Sequence, residues 1–143
     1  MKKFFLCSLL VFSVAAAFAQ SAVGAWNGKL QLDTSQMPKA KTAEQQKMID
    51  KALAQVRAIT LKLNLKSDKT FSVSVPPIMG QPAHSASGTW TQKGRTVTMV
   101  TLKEDGKAPK DKKPQSMTID PSGKKMILIA GDGPRGQKII FTK

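Results

Sequence analysis

Ile59-Thr60-Leu61-Lys62-Leu63-Asn64-Leu65-Lys66-Ser67-Asp68-Lys69-Thr70-Phe71-Ser72-Val73-Ser74-Val75 decides the fold. Ile59, Leu61, Leu63 and Leu65 alternate with Thr60, Lys62, Asn64 and Lys66, a period of two that puts the apolar side chains on one face of an extended strand. Ser67-Asp68-Lys69 is turn chemistry, and Phe71, Val73 and Val75 alternate with Ser72 and Ser74 beyond it, so the segment predicts a hairpin with one apolar face. Pro76-Pro77 ends the second strand, because proline cannot continue a ladder. One such hairpin is not stable alone in water and needs more strands to cover its apolar face.

Those strands are found on both sides. Toward the N-terminus, Val23 to Leu32 sets Trp26, Gly28, Leu30 and Leu32 against Lys29 and Gln31. Between it and the hairpin, Thr42-Ala43-Glu44-Gln45 has the spacing of a capping box, and Met48, Ile49, Ala52, Leu53 and Val56 form an apolar stripe at helical spacing. This predicts one amphipathic helix, lying over an open end or a flank of the sheet.

Toward the C-terminus, a Gly- and Pro-containing loop leads through His84 to a strand with Gly88 and Trp90. Gln92-Lys93-Gly94 predicts a hairpin whose glycine is left-handed, leading into a strand with Val97 and Met99. A polar, lysine-rich insertion over 103–115 is expected to be a mobile surface loop. Met117 and Ile119 belong to a sixth strand, Asp120-Pro121-Ser122-Gly123 to a turn, and Met126 to Ala130 and Lys138 to Thr142 to the last two. About eight strands in sequence order with mostly short connections predict a mainly β chain, an antiparallel up-and-down barrel. A two-sheet sandwich would use the same alternation.

The start of the chain predicts export. Lys2 and Lys3, an apolar run over Phe4 to Ala17 and Ala17-Phe18-Ala19 before Gln20 have the order of a signal peptide, so cleavage near Ala19-Gln20 and a periplasmic or secreted destination are expected, with residues 20–143 as one domain. The apolar run is short for a membrane span. Cys7, the single cysteine, lies early in that run, away from a lipoprotein cleavage point, and no disulfide is expected. The formal charge is +14, and +12 once Lys2 and Lys3 are set aside. Such a charge favours anionic partners and also keeps a protein dispersed. Lys107, Lys110, Lys112 and Lys113 are the candidate contacts to an anionic envelope surface.

Catalytic chemistry is harder to assemble. His84 is the single histidine; it allows no His cluster for a metal, and with no acidic residue between it and Lys103 it has no evident orienting partner. An exposed loop histidine is expected. Aspartates at the predicted turns, Asp68 and Asp120 among them, should bond to nearby backbone. The methionines are scattered along the chain and suit packing better than Cu(I) ligation. Gly131-Asp132-Gly133-Pro134-Arg135-Gly136 matches G-x-G-x-x-G, but strand-like residues follow where a dinucleotide site needs a helix. Trp26, Phe71, Trp90 and Phe141 fall at inward strand positions, leaving no stacking platforms, so no nucleic acid is expected. No enzyme activity, cofactor or metal follows from these residues.

Val23-Gly24-Ala25-Trp26 resembles the Gly-x-Trp of the first strand in lipocalins, and Ser87-Gly88-Thr89-Trp90-Thr91-Gln92-Lys93-Gly94-Arg95-Thr96-Val97-Thr98 resembles a strand-turn-strand element of small secreted bacterial lipocalin-like domains. The inserted helix resembles the lid of fatty-acid-binding proteins. The resemblance implies a barrel that either fills itself with side chains or keeps one small cavity. With a cavity, Trp26, Leu30, Leu63, Phe71, Trp90 and Met99 would line it around an apolar or amphipathic ligand. With a filled core, the same residues are packing and the basic outer surface carries the interactions. Gly24 and Trp26 have a structural reading of their own, the ring plugging one end of the barrel where the glycine lets it pack, as against direct stacking on a ligand.

Overall fold

The computed structural model describes residues 21–78, 80–130 and 137–143. The expected leader and the glycine-rich 131–136 segment lie outside them. Eight strands follow in order: β1 (Gly24–Gln31), β2 (Thr60–Leu65), β3 (Thr70–Val75), β4 (His84–Lys93), β5 (Thr96–Glu104), β6 (Gln115–Ile119), β7 (Lys125–Ala130) and β8 (Gln137–Thr142). A short 3-10 turn (Thr34–Gln36) and helix α1 (Ala43–Ala58) stand between β1 and β2. Each strand pairs antiparallel with the next, and β8 returns to β1 with Gly28 opposite Phe141 and Leu30 opposite Ile139. The sheet is therefore a closed up-and-down barrel and not a sandwich.

Local chemistry explains most of the turns. The β2–β3 loop places Lys69 at φ 67°, and Lys66 N–H donates to the Thr70 carbonyl across it. Gly94 in the β4–β5 turn and Gly123 in the β6–β7 turn are also left-handed, where glycine carries no Cβ penalty. Asp68 accepts from the Thr70 N–H and hydroxyl, and Asp120 from the Ser122 hydroxyl and the Lys125 N–H. These bonds favour the ionised carboxylate and hold both groups below the usual aspartate value, the Thr70 and Ser122 hydroxyls being the largest causes.

Helix α1 starts as its capping sequence requires, with Thr42 Oγ1 accepting from the Gln45 N–H at 3.2 Å. The Gln45 side chain reaches back to the Lys41 N–H at 2.9 Å, one residue beyond the usual partner of a capping box. The helix packs against β1, and none of its residues is fully buried. Ile49, Ala52, Leu53 and Val56 are half-buried, whereas Met48 is 72% exposed. Ile49 and Leu53 instead border a cleft of about 450 Å³ shared with Met37 and Pro38.

The core contains Trp26, Leu63, Leu65, Phe71, Trp90, Val97, Met99, Met117, Ile119, Met126, Leu128 and Phe141. Two aromatic rings lie over glycines on the next strand, Phe141 over Gly28 and Phe71 over Gly88. Each glycine leaves the space that its neighbour's ring occupies, and the ring covers the exposed glycine backbone.

Candidate functional site

The two ends of the barrel differ. The short β2–β3, β4–β5 and β6–β7 turns gather at one end, here the sealed end. The longer connections, including the one that carries α1, leave from the other, the mouth. At the sealed end Trp26 and Trp90 are each about 1% exposed. Trp26 Nε1 donates to the Ala22 carbonyl at 2.8 Å, and Trp90 Nε1 to the Lys66 carbonyl at 3.0 Å. Lys143 Nζ stands 4.8 Å from the Trp26 ring and Lys69 Nζ 4.4 Å from the Trp90 ring, so each plug carries a cation over its face.

Along the inner faces of β1 to β4 and β8, burial falls away toward the mouth. On β1 it passes from Trp26 and Gly28 to the half-buried Leu30, on β2 from Leu65 and Leu63 to Leu61, and on β3 from Phe71 to Val73. On β4 it passes from Trp90 and Gly88 to Ala86, and on β8 from Phe141 to Ile139. Leu30, Leu61, Val73, Ala86 and Ile139 thus form a half-open apolar ring above a filled interior. Of the six expected lining residues, Trp26, Leu63, Phe71, Trp90 and Met99 sit together in the buried core, and only Leu30 reaches the ring. Leu61 and Ile139 went unassigned because alternation marks which face a residue takes, not its height along the barrel axis.

The rim carries the largest departure from sequence expectation. His84 is not a loop residue: it opens β4, and its Nδ1 lies 2.7 Å from Asp105 Oδ2. Asp105 Oδ1 also accepts from the Ser85 N–H at 2.7 Å, and the Asp105 N–H donates to the Ser85 carbonyl. The His84 ring, then the Ser85 N–H, hold the Asp105 carboxyl below its usual range. Asp105 reaches His84 because β4 pairs with β5 through a bulge near Ser87 and Gly88, which leaves Leu102 unpaired and 53% exposed. Asp105 and Gly106 then turn at φ 48° and 77°, with Glu104 and Lys107 exchanging both backbone hydrogen bonds. The Asp-Gly pair was the available signal, since both residues tolerate the positive φ of a two-residue hairpin turn.

The 103–115 stretch is consequently not one loop. Lys103 and Glu104 belong to β5, a tight turn follows, and Pro109 is buried. Lys107, Lys110, Lys112 and Lys113 are all exposed on this connection at the mouth side. Lys113 lies 3.8 Å from Asp111, an exposed pair of small energetic consequence. Among the described residues no His, Cys, Asp and Glu group has the makings of a metal site, and no helix is long and apolar enough to cross a membrane. No protein-family model, curated protein or solved structure matches the chain.

Proposed function

We propose that this protein is an exported, non-enzymatic, lipocalin-like binder of a small amphipathic ligand, taken at the mouth and not deep in the barrel. The observation that carries this reading is the burial gradient: apolar side chains continue to the mouth, but only there do they keep exposed surface. The ligand's apolar portion would rest on Leu30, Leu61, Val73 and Ile139, and its polar or anionic group would meet the rim near His84 and the lysines of the 107–113 connection. Burying half-exposed leucine, valine and isoleucine surface contributes roughly 25 cal/mol per Å², so a shallow seat suits modest affinity.

A second reading has its own support in the filled interior. Trp26, Leu63, Phe71 and Trp90 leave no exposed surface for a ligand to cover, and that favours an envelope interaction protein acting through its basic exterior. Native mass spectrometry on protein recovered from a periplasmic extract, followed by denaturing extraction, separates the two. A stoichiometric small molecule that is lost in Leu61→Trp supports the mouth site. A clean apo mass, with retention on anionic vesicles that disappears in Lys112→Ala plus Lys113→Ala, supports the surface reading. Absence of the protein from the extract removes the export that both assume.

A further inference from the structure

The outer face of β2 to β5 carries a groove of about 460 Å³. Its floor is made by serines: Ser72 and Ser74 on β3 stand opposite Ser87 and Ser85 on β4. Interior strands favour β-branched and aromatic side chains, so four small hydroxyls in one cross-strand block leave a depression where a sheet surface is usually filled. Lys62 borders it on β2 and Lys103 on β5, and neither has an ion-pair partner among the described residues. The hydroxyls of Ser72, Ser74 and Ser87 bond to no other described residue.

Register makes the groove linear. Asn64 faces Ser72, Ser72 faces Ser87 and Ser87 faces Lys103, so one row crosses four strands. At about 4.8 Å per strand the row spans roughly 14 Å, the scale of a short oligosaccharide. Lys62 heads the adjoining row, opposite Ser74, so a ligand crossing the two rows obliquely meets a cation at its β2 edge and another at its β5 edge, with hydroxyl donors and acceptors between. No aromatic side chain lines the groove, which removes the stacking platform a nucleic-acid strand would use. The rim at Gly106 closes one corner, where Asp105 is already engaged by His84 and the Ser85 N–H.

We infer that this groove is a binding site for an acidic oligosaccharide, its anionic groups on Lys62 and Lys103 and its hydroxyls on the serine rows. The serine and lysine positions alternate with the inward positions that form the mouth ring, and Val73 and Ala86 of that ring also border the groove. The test is titration of the 15N-labelled protein with a sulfated tetrasaccharide, a neutral maltotetraose, inorganic sulfate and a four-nucleotide oligodeoxynucleotide. Saturable shifts centred on the amides of Ser72, Ser74, Ser85 and Ser87 are expected with the sulfated tetrasaccharide. Lys62→Gln plus Lys103→Gln should weaken binding at least 10-fold, while Lys112→Gln plus Lys113→Gln, the same change in net charge, should alter it less than 2-fold.

Equal loss in the two double variants would overturn the site in favour of diffuse charge attraction. So would shifts outside the groove. Equal binding of maltotetraose or of sulfate alone would overturn the acidic-oligosaccharide class, and tighter binding of the oligonucleotide would assign the groove to nucleic acid. Ser72→Val plus Ser87→Val keeps strand propensity and fills the floor, so a folded variant that still binds at full affinity also refutes the proposal.

Discussion

Gly28 and Gly88 occupy equivalent inward positions, yet their substitution should differ in kind. A Cβ on Gly28 would come 2.6 Å from the Phe141 ring, and on Gly88 it would run into the Val100 carbonyl oxygen as well as approach the Phe71 ring at 2.9 Å. Side chains can shift more readily than a paired strand. Gly28→Ala should therefore cost about 2 kcal/mol and be largely relieved by Phe141→Leu in the same chain, whereas Gly88→Ala should cost about 3 kcal/mol and gain little from Phe71→Leu. Urea denaturation of the four variants checks this. Rescue of Gly88→Ala by Phe71→Leu would show that the backbone contact is not the constraint. The sequence announced both glycines on alternating strands, but only the bulge beside Gly88 brings Val100 so close.

At the scale of elements, α1 and the β5–β6 connection are each tied by a few identifiable bonds. The helix has no fully buried residue, so its loss should not unfold the barrel. Thr42→Ala removes the Gln45 N–H bond and should destabilise the helix by about 1 kcal/mol. Helical amides should then exchange faster with solvent hydrogen, while those of β1 to β8 keep their protection. Equal acceleration in the strands would show that helix and barrel form one cooperative unit. The Asp105 link behaves differently because its strength follows pH. A carboxyl held below its usual value of 3.8 contributes at pH values above that figure and loses its contribution as pH falls through the lowered value. The protection factor of the Ser85 amide, its exchange rate taken against the intrinsic rate at the same pH, should accordingly fall as the protein is acidified below the usual aspartate range, and Asp105→Ala should show the low protection already at pH 6. His84, Ser85 and Asp105 were each visible in the sequence. Their meeting required the β4–β5 register.

For the whole molecule, closure rests on β8, which pairs with both β7 and β1 and brings Phe141 over Gly28. Removing residues 139–143 opens the barrel and exposes two strand edges, so the truncated chain should lose its cooperative thermal transition. A retained transition at the same temperature would mean that the remaining strands close without β8. Pairing the first strand with the last also demands long loop closure, which places folding in the slow range of all-β domains, milliseconds to seconds. Tryptophan fluorescence in stopped flow reports it directly, since Trp26 and Trp90 are buried only at the sealed end. Acid adds a global term. Asp33, Asp68, Asp105 and Asp120 are all held low by hydroxyl, imidazole or backbone partners at turns, and protonation weakens each of those bonds. Stability is expected to hold from neutral pH down to about 4 and then decline, as a series of urea midpoints between pH 6 and pH 2 would show. An unchanged midpoint across that interval would contradict the turn contacts as a group.

What the sequence determined by itself was everything governed by short range. Period-two alternation marked the strands, Asp, Gly and Pro marked the turns, and Thr42 with Gln45 marked the helix start, because backbone preference and side-chain spacing act within a few residues. The tertiary structure decided which end of the barrel is sealed, where α1 rests, that Asp105 meets His84, and that the serines of β3 and β4 align between Lys62 and Lys103. Those outcomes depend on closure, on one bulge and on the volumes of rings set against glycines. They are properties of strands separated by tens of residues, and no local pattern contains them.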